Sequence, residues 1–510
     1  MVYLIPSWAL VWGLILTVNA VNAALSPRES RLHIELMKNA PPGITYHIPK
    51  GIRSYTSSSS SKITSRAKSK QAHIQKLKPI RTSRTNSRSA VHILGTHYRS
   101  LLSLSREASS DSSYANISST NAYGTQYATA LTWDSSLAPL SFLLDTGSSD
   151  TWAINQSNYT CQDLSGRNIS QSACGFPLPP PPSSPGQAAP QPLSTFKYGL
   201  TDPATHMYLH YADGEIVSGP MGFSDLSIGN ITVKKQQVCL ADRAYWFGNN
   251  VTVGVLGLAF PSLTSAYLGE EIPESPENGG GSPPQGGLMG DTVEYSPFFT
   301  SLVEQGQIEP VFSIAIDRND STGVLILGEG EPWGVVSGLG GGSRRDPVVE
   351  VDMIITNLNN VAKTASEYSF YTIIPDGWYY DQTTNEKKMP YIVDSGTTLC
   401  YLPPDLAKQI NSAFSPPAVY LWMYGAFFTT CNAIAPPSLA VIIDGFKFWI
   451  NPRDLIYRDI KDPMTGLCMT AIASGGIGGP YILGDVFMQN VLTIFDVGEA
   501  KMRFVPRSRY

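Results

Sequence analysis

A chain of 510 residues with 42% hydrophobic content can bury more than one core, and its 44 Gly, 38 Pro and 25 Tyr favour strands and turns over long helices. The formal charge of −5 hides a division, because residues 24–106 carry 16 Lys and Arg against only Glu29 and Glu35, a formal +14, which leaves −19 for residues 107–510. Taken alone, that basic, Ser-rich run suits a solvated tail better than a nucleic-acid-binding segment, so no nucleic-acid partner is expected, and no second apolar span follows the first 23 residues.

Taken in chain order, an apolar run from Leu4 through Val18 precedes Val21-Asn22-Ala23, a small-residue cleavage pattern ahead of Ala24. This predicts a secretory signal peptide over residues 1–23. The run is short for a membrane span, so removal is expected and no anchor remains. The basic stretch 24–106 would be a solvated tail if met alone. Between a signal and an acidic body it reads as a propeptide, held by opposite charge near neutral pH and released when acid protonates the body's carboxylates. The composition shift puts the cleavage between Arg88 and Arg106.

Two copies of one unit follow. Phe142-Leu143-Leu144 leads into Asp145-Thr146-Gly147-Ser148-Ser149, and Tyr391-Ile392-Val393 leads into Asp394-Ser395-Gly396-Thr397-Thr398. An apolar strand ending in Asp and then Gly delivers a carboxylate onto a tight loop, where hydroxyls can orient its oxygens. Two such carboxylates near contact cannot both ionise easily; they share a proton and offer an acid and a base to one water molecule. Each copy has a later echo. Gly257 of Val255-Leu256-Gly257-Leu258 comes 112 residues after Asp145, and Gly484 of Ile482-Leu483-Gly484-Asp485 comes 90 after Asp394. The pattern predicts two related, mainly β lobes, residues 107–317 and 318–510.

Leu209-His210-Tyr211-Ala212-Asp213-Gly214-Glu215-Ile216 predicts a β-hairpin around its Asp-Gly turn. The low-complexity insertions 177–192 and 273–290 read as surface loops. Leu406, Ile410 and Phe414, four apart after a Pro-Pro start, predict a helix over residues 405–414 that packs beneath its lobe. Six cysteines allow 15 pairings; Cys161 with Cys174 would close a short loop, while Cys239 and Cys400 sit in apolar surroundings where a bond and a buried thiol are both open. The cysteines show no Cys-x-x-Cys pair, and His206 and His210 are the only histidines after residue 106, so no metal is expected. Seven Asn-x-Ser/Thr sequons, at Asn116, Asn155, Asn158, Asn168, Asn230, Asn250 and Asn319, suit a glycosylated protein.

Over residues 123–506 these motifs resemble the pepsin-like aspartic endopeptidases, most closely at residues 481–506 with Ile482-Leu483-Gly484-Asp485-Val486-Phe487 and Phe495-Asp496-Val497. The resemblance implies a bilobal pepsin-like acid protease fold, two pseudo-symmetric β lobes around a central cleft, with Asp145 and Asp394 as the catalytic pair. Ser148 and Thr397 match the family's hydroxyls that bond the outer carboxylate oxygens. Thr146 and Ser395 match the pair that ties the two loops together, and Gly147 and Gly396 present backbone amides. The hairpin with Gly214 in its turn matches the flap, Tyr211 its tyrosine, and Trp152 the indole that donates to that tyrosine. Cys431 with Cys468 matches the bridge of the C-terminal lobe. Some fungal members with Asp at the position of Asp213 accept a basic side chain just before the cleaved bond. The chain departs from the family in Ala212 and Glu215, in residues 133–140, and in Val253-Gly254 before the Leu-Gly-Leu strand.

The expected protein is a secreted monomeric endopeptidase made as a zymogen, acting on polypeptides in acid without metal or organic cofactor. Its partners would be substrates and its own propeptide, and extracellular and vacuolar destinations are both open. The competing expectation is a catalytically silent pepsin-fold binding protein. A carboxylate-pair glycoside hydrolase would not need the same strand-loop unit twice.

Overall fold

The computed structural model describes residues 44–47, 91–94, 115–119, 126–133, 139–156, 158–177, 197–270, 291–316, 323–328, 346–358 and 367–507. The signal-peptide expectation, most of the basic stretch and, apart from Pro177, the two insertions lie outside them.

The expected mainly β, two-lobed architecture is what forms. Among the described residues the α-helices are short: Phe298–Glu304, Pro404–Ser412 and Asp485–Met488. In the first half, strand Leu140–Asp145 pairs antiparallel with Tyr127–Trp133 and parallel with Gly254–Gly257, in the register Phe142↔Gly254 and Asp145↔Gly257. Gly254–Gly257 pairs on its other side with Thr151–Ile154, so it lies between the two strands that flank the first Asp loop. The second half repeats the device. Tyr391–Val393 runs parallel to Ile482–Leu483, which pairs in turn with Tyr401 of strand Cys400–Leu402. The sequence repeat is therefore a repeat of topology.

Burial holds these strands. Phe142, Leu144, Trp152 and Leu256 in the first half, and Val393, Cys400, Leu402 and Leu483 in the second, are almost fully removed from water. Each large apolar side chain so buried contributes about 1.5–3 kcal/mol. The sheet of the first half continues, through Ala115–Ser119, into strands that join the halves: Val311–Ala315 pairs with Gly323–Leu327 and with Val491–Asp496, and Lys501–Pro506 bridges Val491–Asp496 to Val349–Asp352. Phe312 stacks on Phe495 with ring centroids 4.4 Å apart, and Tyr371 donates its hydroxyl to Leu258 O at 2.6 Å. Two pieces of the basic stretch also pair with the body: Ile44–His47 with Ile355–Leu358, and Val91–Leu94 with Gly323–Leu327.

The expected helix forms as Pro404–Ser412. It buries Leu406, Ala407, Ile410 and Asn411, and Phe414 is buried just beyond its end. Cys161 is bonded to Cys174 and Cys431 to Cys468. Cys239 and Cys400 are buried free thiols, which settles the open alternative; one lies in the strand Ile231–Ala241 and the other in Cys400–Leu402, in different lobes.

Candidate active site

Each Asp loop begins where a buried strand runs out, and each is braced in the same way. Gly147 N–H donates to Asp145 Oδ1 at 2.7 Å, and Gly396 N–H donates to Asp394 Oδ1 at 2.8 Å. Ser148 Oγ donates to Asp145 Oδ2, and Thr397 Oγ1 donates to Asp394 Oδ2 at 2.6 Å. The glycines are required by proximity: a Cβ on Gly147 would lie 2.6 Å from the Asp394 carboxyl, and one on Gly396 would strike the Asp145 carboxyl. Each carboxylate thus faces the other loop's glycine, and the two carboxyl groups are within hydrogen-bonding reach of each other.

Beneath them the loops exchange four bonds. Thr146 Oγ1 donates to Val393 O at 3.1 Å and accepts from Ser395 N–H at 3.0 Å. Ser395 Oγ donates to Leu144 O at 2.9 Å and accepts from Thr146 N–H at 3.2 Å. Both hydroxyl residues are buried, so this reciprocal link sets the separation of the two Asp side chains. Burial pushes the Asp145 carboxyl well above the usual carboxylate range, and the charge of Asp394 adds to that; the Ser148 and Gly147 bonds act the opposite way.

The hairpin lies over this pair. Strands Thr205–His210 and Ile216–Ile228 form its arms in the register His210↔Ile216, with Gly214 at φ +97° in the turn. Trp152 Nε1 donates to the Tyr211 hydroxyl at 2.8 Å, and the Tyr211 ring meets Trp246 at 5.5 Å. Asp213 Oδ1 accepts the Glu215 N–H at 3.1 Å across the turn. Leu143, Asp145, Tyr211, Asp213, Trp246 and Val255 are among the walls of a cavity of about 90 Å³ beside the Asp pair. His206 is buried against Tyr267 with Nδ1 3.0 Å from Gly269 O, whereas His210 is exposed.

The sequence-derived site residues therefore gather in the two Asp loops, in the hairpin over them and at Trp152 beneath Tyr211, apart from the Cys431–Cys468 bridge, which lies in the second lobe. Several neighbours escaped the sequence reading. Asp150 accepts the Ser265 N–H and the Tyr295 hydroxyl, the latter at 2.6 Å, and so anchors the chain leaving the first loop. Asp485, wholly buried, has no hydrogen-bond partner on either carboxylate oxygen among the described residues. Burial and the charges of Asp394 and Asp145 hold its carboxyl well above the ordinary range. Trp246 and Glu215 become cavity walls because Ile216 pairs with Tyr245, a register that no local motif signals.

Comparison with known proteins gives the same family. Residues 126–507 match the profile of the eukaryotic aspartyl proteases. The chain is 35% identical over 376 residues to a probable aspartic-type endopeptidase of Aspergillus fumigatus, covering 71% of this chain and 74% of that protein. It is 25% identical over 374 residues to gastricsin of Rattus norvegicus, covering 71% and 75%. The crystal structure of an aspartic proteinase from Irpex lacteus aligns with a TM-score of 0.52 at 17% identity over 77% of this chain and 96% of that one, which supports the bilobal fold. With the profile match running through both Asp loops, the chain belongs to the eukaryotic aspartyl protease family and is an aspartic-type endopeptidase.

Proposed function

We propose that Asp145 and Asp394 are the catalytic dyad of a secreted, acid-active endopeptidase made as a zymogen. The observation that carries this reading is the reciprocal bracing of two like loops, which faces two carboxyl groups at one another so closely that both cannot easily ionise together. In the reaction the ionised carboxylate takes a proton from a water molecule as its oxygen attacks the scissile carbonyl. The protonated carboxyl gives its proton to the carbonyl oxygen. Collapse of the tetrahedral species then breaks the C–N bond, with the leaving nitrogen protonated from the dyad. Ser148 and Thr397 orient the outer oxygens, and Thr146 and Ser395 hold the loops in register. The flap, with Tyr211 tied to Trp152, closes over the peptide and excludes water.

The sign of the pH dependence follows from the shared proton. Loss of that proton as pH rises removes the acid, and protonation of both carboxyls at low pH removes the base, so activity is confined to the interval between the pair's two ionisations. Zymogen control is supported by the +14 charge of residues 24–106 against −19 in the rest, and by the pairing of Ile44–His47 and Val91–Leu94 with strands of the body. Passage through the secretory route is supported by the apolar leader, the two disulfides and the exposed sequon residues Asn158, Asn168, Asn230 and Asn250. Among the described residues no helix is long and apolar enough to cross a membrane.

Hydrolysis of denatured haemoglobin or casein by the acid-treated protein, followed from acid to neutral pH, tests the reading. Cleavage in acid that is blocked by a statine-type inhibitor is expected. A folded protein without its basic segment that cleaves nothing would instead be a silent binding protein. For specificity, Asp213 is proposed to pair with a Lys or Arg just before the cleaved bond; Asp213→Ala should lower cleavage after Lys relative to Phe, and an equal loss on both would refute it. The isolated basic segment should inhibit the mature enzyme near neutral pH, and failure to do so would count against the zymogen reading.

A further inference from the structure

Glu215, one of the chain's departures from the family's flap, stands where the returning arm of the hairpin begins. The Tyr211 N–H donates to Glu215 O at 2.8 Å, so the two residues face each other across the hairpin, and both line the cavity beside the Asp pair. Glu215 is 8% exposed, whereas Asp213 in the turn is open to water. Three bonds run through these two carboxyl groups. Glu215 Oε1 accepts the Phe247 N–H at 2.5 Å, the two side chains hydrogen-bond each other, and Asp213 Oδ1 accepts the Glu215 N–H at 3.1 Å. Phe247 follows Trp246, whose ring meets Tyr211 at 5.5 Å and Trp152 at 5.1 Å. Glu215 thus ties the flap turn to the segment that packs against the flap tyrosine.

A bond between two carboxyl groups lasts only while one of them holds a proton. Burial, and next the charge of Asp213, push the Glu215 carboxyl up, so the proton rests there. The titratable groups around the pair are Tyr211 on the outgoing arm, Tyr245 on the strand that pairs with Ile216, Asp163 near Tyr245, Asp145 across the cavity, and Tyr401 from the second lobe. All of these are acids, and none of them offsets a second negative charge. His210 and Arg243 pair with Ile216 and Ser218, which alternate onto the face away from Glu215.

We propose that Glu215 is a positioning residue whose proton latches the flap: as a neutral acid it donates to the Asp213 carboxylate while holding the Phe247 N–H, and as a carboxylate it repels Asp213 and frees the turn. The inference rests on the endopeptidase reading above and adds a second ionisation to its upper pH limit. Loss of the dyad proton removes the acid of the reaction. Loss of the Glu215 proton loosens the cover that excludes water and holds the peptide. A Glu that served only to pin Phe247 would do so in either state, because an ionised carboxylate accepts an N–H at least as well as a carboxylic acid. Its removal would lower activity by one factor at every pH.

The test follows kcat/KM against pH for one peptide with Phe before the cleaved bond, so that no pairing of Asp213 with a substrate cation enters. The acid-activated protein is compared with its Glu215→Gln and Asp213→Asn variants. Either amide can donate to the remaining carboxylate without a proton from solution, and Gln keeps an oxygen for the Phe247 N–H. On the alkaline side the parent should fall about a hundredfold per pH unit, with two protons lost, and each variant about tenfold, with one proton lost. Equal slopes in parent and variants overturn the inference and leave the endopeptidase reading intact. No cleavage by the parent at any pH overturns that reading and the inference with it. Should Glu215→Gln cleave too slowly for a slope to be measured, Asp213→Asn decides alone. Calorimetry in two buffers, at the alkaline end of the parent's profile, gives a readout independent of turnover. Binding of a statine-type inhibitor should take up about one more proton in the parent than in Glu215→Gln, and equal uptake would overturn the inference.

Discussion

Thr146→Val is the sharpest perturbation of the link beneath the Asp pair. Valine has the shape of threonine without its hydroxyl, so the change opens no cavity. It removes one donor and one acceptor at once: Val393 O loses its 3.1 Å partner and Ser395 N–H its 3.0 Å partner. Thr146 and Val393 are 0% exposed and Ser395 2%, so water cannot readily replace either bond. At about 1–3 kcal/mol for each buried group left unsatisfied, the variant should lose about 2–6 kcal/mol. Ser395→Ala strands the reciprocal pair, Leu144 O and Thr146 N–H, and should cost a similar amount. The two changes touch one network, so the double variant should lose less than the sum, with a coupling of about 0.5–3 kcal/mol. Urea unfolding at a fixed acid pH measures all four proteins, and kcat on one peptide follows the register of the dyad. A Thr146→Val protein within about 0.5 kcal/mol of the parent, with unchanged kcat, would refute the claim that this link holds the two loops.

Two further outcomes follow from the same geometry. Tyr211→Phe leaves the buried Trp152 N–H without its 2.8 Å acceptor when the flap is closed, so kcat/KM should fall about tenfold, the kinetic equivalent of about 1.4 kcal/mol; an unchanged kcat/KM would contradict the closed-flap role. Asp485 binds its proton more tightly in the folded chain than in the unfolded one, so its contribution to stability is intact below the unfolded carboxylate value and declines as pH rises above about 4. Asp485→Asn should therefore gain stability on the parent with increasing pH, by up to about 1.4 kcal/mol per pH unit, in denaturant titrations from pH 3 to 6; a gap independent of pH would exclude this titration.

The Asp loops were legible because everything that defines them is local: an apolar run, an Asp, a Gly and two hydroxyls, written twice. The hairpin was legible from its Asp-Gly turn, and the helix Pro404–Ser412 from the four-residue spacing of Leu406, Ile410 and Phe414. What escaped depends on distant pairing. Val311–Ala315 finds Val491–Asp496 across most of the second half, and no pattern within either strand names the other. Asp485 was visible only as the residue after the Gly of Ile482-Leu483-Gly484. It proves to open a buried helix of four residues, where burial and the charges of Asp394 and Asp145 disfavour its ionised form. Glu215 was visible as a departure from the family's usual flap, but its place in the cavity comes from the pairing of Ile216 with Tyr245. The free thiols were undecidable in sequence because apolar neighbours suit a bond and a thiol equally, and only the division of Cys239 and Cys400 between two lobes separates them.

The central claim is that Asp145 and Asp394 act as one proton-sharing pair. Asp145→Asn and Asp394→Asn, each prepared as folded, acid-treated protein, should be assayed for casein hydrolysis across pH 2–7 beside the parent. The account predicts an acid-confined profile for the parent and loss of at least about three orders of magnitude in kcat for either variant, since neither carboxyl can supply both the base and the acid alone. Substantial cleavage by either variant, with the parent's pH profile, would contradict it.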